Sequence, residues 1–381
     1  MGKEQESSFL NTSLTQKNGK GAEIAPRFFY GVDALAKLFA LSGAQLKIFK
    51  EVDRYFPVRI PGFYLSLMSS DDPFCPIKRQ ALPSLEELSG SGHEDPLAEN
   101  DNSLTPSFIK KYPGRGVFLI SSECAMFCRF CNRKRVLGRN VDFESSWDET
   151  FECMEKMEDL REVIISGGDP LMQSIDKLYY VLERIRRIRR VRTLRISTRV
   201  PVVFPQGISE EFLKILTKFN PLWIVIHINH PREITESFKR IIREIQKKGS
   251  PVISQTVLLR GVNDCARTLI ELFDGLVSLG IKPYYLFQLD EVIGAQHFKV
   301  RLSDGIRIYK TIRKHSSGLA VPNYVVDLSG GLGKVSVTES LIRKNGGVGY
   351  FRTDDGKIGK YGDDGYESEC KRCGLCVHTE E

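Results

Sequence analysis

Long apolar runs are missing from this chain. None reaches the roughly 18 to 20 residues that a membrane-spanning helix needs, and the polar N-terminus has no signal-peptide core. A disulfide frame is missing too. The nine cysteines are clustered rather than spread, which argues for metal ligands in a reducing compartment. The expectation is a cytoplasmic protein with no membrane contact. Charge of one sign is in modest excess, +7 overall. Its densest run has Arg at 184, 186, 187, 189, 190 and 192. Such a run offers nucleic-acid contact, or it is a set of cations at a helix C-terminus, where the dipole favours them. The second reading is preferred, and nucleic acid is not expected as a partner.

At 381 residues the chain suits one large domain with extensions. Residues 1–26 are polar and rich in Ser, Asn, Gln and Lys, as in a disordered N-terminal arm. Residues 27–110 hold one or two helices over Phe28–Arg54, then a proline-punctuated and acidic stretch, and are expected to form a wrapping layer without chemistry of its own. A regular alternation follows. β-rich runs at 117–120, 162–165, 193–197, 222–228, 252–259 and 283–287 are separated by helical stretches at 147–160, 174–190, 209–219, 233–248 and 266–279. Strands alternating with helices at roughly 30-residue spacing imply βαβ units and a parallel sheet. The fold class expected is α/β, a partial (β/α)6 TIM-like barrel over 111–300, with a doubly wound open sheet as the alternative. A seventh run, Tyr324–Asp327, and a cysteine-containing tail complete 301–381. Functional residues should follow strand C-termini in either architecture.

The most informative stretch is Ser122–Arg135, where Cys124, Cys128 and Cys131 are spaced C-x3-C-x2-C. Three thiolates this close can ligate three irons of a [4Fe–4S] cube and leave the fourth iron open to a substrate-like ligand. The competing reading is a structural zinc knot with a fourth ligand from elsewhere, although such sites usually read as paired C-x2-C units. Gly167-Gly168-Asp169 after a buried strand is either a tight turn or a place where a ligand approaches the backbone. The loop Gly330-Gly331-Leu332-Gly333-Lys334 exposes backbone N–H groups beside an amine; a lysine amine can form a Schiff base with pyridoxal phosphate (PLP), but such a loop alone is more often a solvated turn. Asp290 and Asp327 follow the sixth and seventh runs and would point from one end of the barrel, either as turn residues or as a pair that holds an ammonium group. Cys370, Cys373 and Cys376 need a fourth metal ligand, for which Cys265 is the candidate; a second iron–sulfur cluster is the rival.

C-x3-C-x2-C is the spacing of the radical S-adenosylmethionine (SAM) enzymes. Together with Tyr112-Pro113-Gly114-Arg115, Cys128-Arg129-Phe130-Cys131, Ser166–Leu171, Ser197–Val203, His227–Pro231, Gln255–Cys265 and Val326–Lys334, it makes the chain resemble the lysine 2,3-aminomutase family from about Phe63 to Cys376. The resemblance implies a radical SAM barrel and a [4Fe–4S] cluster on Cys124, Cys128 and Cys131. It implies SAM near Gly167, Gly168 and Asp169, and PLP on Lys334 with Arg115 near its phosphate. His230 and Gln255 would line the SAM or PLP site. Asp290 and Asp327 would grip the ε-ammonium of substrate lysine, and Arg133 its α-carboxylate. Cys265, Cys370, Cys373 and Cys376 would hold a zinc that joins subunits of a homo-oligomer. The implied activity is interconversion of L-lysine and β-lysine by 2,3-amino migration, served by a reductant such as flavodoxin or ferredoxin. The alternative is a sister enzyme acting on glutamate or another amino acid, or on the lysine destined for elongation-factor modification. Phe287 departs from the family's Tyr-Gln-x-Asp stretch, which removes a hydroxyl near PLP or substrate.

Overall fold

The computed structural model describes residues 28–39, 41–69, 72–88, 90, 92–370 and 373–375. The arm expected over 1–26, and Cys376, lie outside them. Seven parallel strands make the centre: Arg115–Ser121, Glu162–Gly167, Thr193–Thr198, Trp223–His227, Val252–Val257, Lys282–Phe287 and Asn323–Leu328. Their order in space is their order in the chain, and every adjacent pair is parallel. A doubly wound sheet would reverse direction at a switch point. This one steps a single way, as a barrel does, and that excludes the alternative. Antiparallel strands finish both edges: Phe108–Tyr112 and Ser103–Thr105 beside the first parallel strand, and Gly333–Ser336 beside the last. Among the described residues no pairing joins the two edges, so the barrel is an open crescent.

The outer helices form because their apolar residues recur on one face. In Ile175–Arg187 these are Leu178, Val181, Leu182 and Ile185, all buried. Ser174, Ser209 and Thr235 cap their helices by accepting backbone N–H groups three residues on. The arginine run ends the Ile175–Arg187 helix. Arg184 lies 4.4 Å from the Phe151 ring, and Arg186 donates to the carbonyls of Phe219 and Pro221. These arginines therefore serve as packing and terminus cations. A sixth crossover helix, Leu302–His315, was not read from the sequence, and neither was the three-stranded antiparallel sheet of Leu341–Asn345, Val348–Arg352 and Ile358–Gly362. No helix among the described residues is long and apolar enough to cross a membrane.

The N-terminal layer holds four α-helices among the described residues, Gly31–Leu38, Gly43–Tyr55, Gly62–Ser66 and Pro76–Ala81, and a strand pair, Phe28–Tyr30 with Arg59–Pro61. It does more than wrap. The N–H of Phe127 donates to the Arg59 carbonyl and that of Arg129 to the Gln80 carbonyl, so the layer grips the cysteine loop from above. Tyr64, Gln80, Glu87 and Glu99 from this layer are all buried against the loop and its neighbours.

Candidate active site

The cysteine loop leaves the first strand at Ser121 and is held by a buried ion pair. Arg129, 2% exposed, donates to Glu87 through Nε at 2.9 Å and Nη2 at 2.7 Å. Phe127 and Phe130 between the cysteines are buried, and Phe130 packs edge-on against His227 and Phe298. Burial pushes the Cys124 and Cys131 thiols up, Cys131 to about 11, with Asp169 adding to the effect at Cys124 and the other thiols at both. Such groups ionise readily only beside added positive charge, which a metal cluster supplies. The Arg133 N–H donates to Cys131 Sγ at 3.4 Å, and Arg199 Nη1 to Cys128 Sγ at 2.8 Å. A single tetrahedral zinc needs sulfurs about 3.8 Å apart, given Zn–S bonds of about 2.3 Å. Among the described residues the trio that meets a comparably tight spacing is Cys265, Cys370 and Cys373, whose Sγ atoms lie within 4.8 Å of one another. The first trio suits the separated corners of a cluster better than one zinc.

Gly167 and Gly168 end the second strand against the start of that loop. A Cβ on Gly167 would sit 2.2 Å from the Ser121 carbonyl oxygen, and one on Gly168 2.3 Å from that of Glu123. The backbones approach this closely because the N–H of Gly168 donates to Ser121 O and that of Asp169 to Glu123 O. The Asp169 carboxylate is buried and already engaged. It accepts from Leu171 N (3.0 Å), Thr198 Oγ1 (2.7 Å), Arg199 N (2.7 Å) and Val200 N (3.2 Å). Asp169 therefore ties the ends of the second and third strands together, and its carboxylate is a joint rather than a free ligand.

A second group of residues fills the mouth between the last strands and the antiparallel edge. Lys334 Nζ lies 3.3 Å from Asp327 Oδ2, and 4.5 and 4.9 Å from the ring centres of Phe287 and Tyr285. The Lys334 N–H donates to the Tyr112 phenol at 2.7 Å, and the Arg115 guanidinium stacks 4.3 Å from the Tyr112 ring. Asp290 accepts from Asn132 Nδ2 at 2.9 Å through Oδ2, while its Oδ1 is buried without a hydrogen-bond partner. Burial, and then the charge of Asp327, raise the Asp290 carboxyl to about 7. Lys111 Nζ, also buried without a hydrogen bond, is 3.9 Å from Asp327 Oδ1. A lysine lying over two neighbouring aromatic rings, with the Tyr112–Arg115 stack beside it, fits a flat pyridine ring that carries a phosphate. The orphaned carboxylate oxygen fits a cation.

Arg133 is half-buried and already paired. Its Nε and Nη2 donate to Glu99 at 2.7–3.0 Å, and Nη1 donates to Ser166 Oγ and the Gly167 carbonyl. Arg135 also donates to Glu99, and the two arginines hold that carboxyl down at about 2, against its burial. Gln255 stands beside His227 in the parallel register. His230 Nδ1 accepts from the Arg232 N–H, so that ring is fixed as a cap, and burial lowers its pKa to about 4. Sequence reasoning missed Glu99, Asn132, Lys111, Tyr112, Thr198 and Arg199 as site residues. Thr198 and Arg199 stood in a quoted stretch directly after the third strand, and that position was the available signal.

Residues 118–273 match the radical SAM superfamily. The L-lysine 2,3-aminomutase of Acetoanaerobium sticklandii is 37% identical over 353 residues, covering 91% of this chain and 85% of that protein. The L-lysine 2,3-aminomutase of Clostridium subterminale is 36% identical, covering 91% and 84%. A glutamate 2,3-aminomutase of Clostridioides difficile is 34% identical, covering 87% and 80%. Likeness of this extent, running through the cysteine loop, the barrel and the Lys334 edge, means that the chain belongs to the lysine 2,3-aminomutase family.

Proposed function

We propose that this protein interconverts L-lysine and β-lysine, with a [4Fe–4S] cluster on Cys124, Cys128 and Cys131, SAM beside Gly167 and Gly168, and PLP on Lys334. The observation that carries the choice of substrate is the half-buried pair Asp290 and Asp327, with the Asp290 Oδ1 atom buried and unpartnered. Two carboxylates so placed attract an ammonium group and repel the side chain of glutamate. When bound, the cofactors supply hydrogen abstraction and stabilise the unpaired electron during amino migration. The chain's residues orient and enclose. Asp290 and Asp327 bind the ε-ammonium, and Arg133 binds the α-carboxylate, which competes there with Glu99. Tyr112, Tyr285 and Phe287 bound the slot beside Lys334 and keep water from it, and Arg115 faces the phosphate end. His230 and Gln255 line the chamber. Cys265, Cys370 and Cys373 would hold zinc, with Cys376, which lies outside the described residues, as the remaining candidate ligand. A one-electron reductant of the flavodoxin or ferredoxin kind, a cytoplasmic location and a homo-oligomer belong to the same reading.

The test is anaerobic. The protein is reconstituted with iron and sulfide, given PLP, SAM and dithionite, and offered lysine, glutamate, arginine and ornithine in parallel. β-Lysine from lysine alone supports the reading. SAM cleavage with turnover of glutamate instead would overturn the substrate and favour the sister activity.

A further inference from the structure

Arg199 has no part in the reaction as proposed, yet it is the charged side chain that reaches a cluster cysteine most directly. It follows the third strand and is 7% exposed. Its Nη1 donates to Cys128 Sγ at 2.8 Å. Its Nη2 donates to Glu233 Oε1 at 2.8 Å and Gln80 Oε1 at 2.6 Å. The guanidinium lies 5.1 Å from the ring centre of Phe130, which stands between Cys128 and Cys131. Its backbone N–H is held by Asp169 at 2.7 Å. The side chain is thus fixed at both ends.

The counter-charge is fixed as well. Glu233 is fully buried and accepts from the Tyr64 phenol at 2.8 Å, the Asn229 N–H at 2.7 Å and the His230 N–H at 2.9 Å. Asn229 Nδ2 in turn donates to Gln80 Oε1. This network spans the N-terminal layer, the third strand and the fourth strand, and its outlet is one N–H···S bond.

Iron–sulfur potentials are set by net charge, burial and hydrogen bonds to the sulfurs. Reduction adds one electron to a cluster and makes its thiolates more negative. A guanidinium on a thiolate therefore stabilises the reduced form more than the oxidised one. We propose that Arg199 sets the reduction potential of the cluster through its bond to Cys128, with Glu233 aiming the guanidinium and limiting its effect. The proposal rests on Cys124, Cys128 and Cys131 being the cluster ligands. The electron itself comes from the external reductant.

The experiment uses the reconstituted holoenzyme, with iron content measured first. About four irons per chain and the electron paramagnetic resonance signal of a reduced cube verify the cluster; a wild type that holds no cluster would sink the ligand assignment instead. Dithionite titration with mediators then gives the midpoint potential of wild type and Arg199→Gln. The variant, loaded with the same iron, should be about tenfold harder to reduce, a shift of about 59 mV to more negative potential for one electron. An unchanged potential at full iron content overturns the proposal. A second measurement does not depend on the variant folding. In wild type labelled with arginine carrying 15N in the guanidinium alone, so that the Arg133 backbone N–H on Cys131 stays silent, pulsed electron paramagnetic resonance of the reduced cluster should show a 15N coupling. Its absence overturns the N–H···S bond and the proposal with it.

Discussion

Lys334 and Asp327 face each other as directly paired residues on the antiparallel edge of the crescent, with Nζ 3.3 Å from Oδ2. The short strand Gly333–Ser336 therefore does one clear thing, which is to turn the lysine back over Asp327 and the Phe287 ring. An amine that forms a Schiff base gives up its charge and with it this ion pair, which would leave Asp327 open to a cationic substrate. Lys334→Ala is expected to lose the PLP that borohydride fixes to the protein, and turnover should fall by about 10³-fold or more. Absorbance after reduction and product chromatography check it. Full turnover with no fixed PLP would remove Lys334 from the site.

Asp290 gives a pH dependence. Its carboxyl sits at about 7, raised above the ordinary 3.8 by burial and by Asp327. Only the ionised form holds an ammonium, so apparent affinity for lysine should weaken as pH falls through about 7, by up to about tenfold per unit. Without substrate the sign reverses. The folded protein binds this proton more tightly than the unfolded chain does, so stability should decline as pH rises from about 4 to about 7. Asp290→Asn should raise KM for lysine about tenfold or more, as expected for a lost charged hydrogen bond. It should also flatten both pH limbs. KM and melting temperature across pH 5 to 9 read this out. A wild-type KM without an acid limb would refute the assignment.

How far the sequence reached can be judged from particular residues. The parallel strands were legible because apolar, β-branched runs recur at βαβ spacing. Cys124, Cys128 and Cys131 were legible because their spacing is local. The helix Leu302–His315 was hidden partly by Gly305, a poor helix former. The fold needs that glycine: a Cβ there would lie 2.0 Å from the Tyr324 hydroxyl. The Glu99–Arg133 pair and the Arg199–Cys128 bond join residues 34 and 71 apart in sequence, on different units of the chain. No local pattern marks such partners. Asp169 looked like a ligand-binding residue in a glycine-rich turn, but its acceptors are taken by backbone and hydroxyl donors that only the third strand brings near.

Gly168 tests whether the second strand positions the cysteine loop. A Cβ there meets the Glu123 carbonyl at 2.3 Å, one residue before Cys124, and backbone has to give way. Gly168→Ala should cost about 1–3 kcal/mol through overpacking and should lower the iron retained after reconstitution. Gly318→Ala is the control, since nothing lies within 4 Å of its added Cβ. Equal iron in both variants would show that the close approach at Gly168 does not govern the cluster.

The tail makes a separate prediction. Ser368 donates to the Asp264 carbonyl, and the Glu369 N–H donates to Asp264 Oδ2 at 2.6 Å. Glu369 also pairs with Arg79 at 3.2 Å and Arg260 at 3.1 Å. These bonds deliver Cys370 and Cys373 to Cys265 on the same chain, within reach of a single ion. Zinc at this place would clamp the tail to the loop after the fifth strand. Cys265→Ser should therefore release zinc, measured by elemental analysis, and lower the melting temperature by several degrees. The cluster iron should stay, because Asn263 still donates to the Asn229 and Val257 carbonyls and keeps that loop on the barrel. Loss of zinc and cluster iron together would mean that the tail metal supports the reaction centre directly. Full zinc in the variant would mean that Cys265 is not among its ligands.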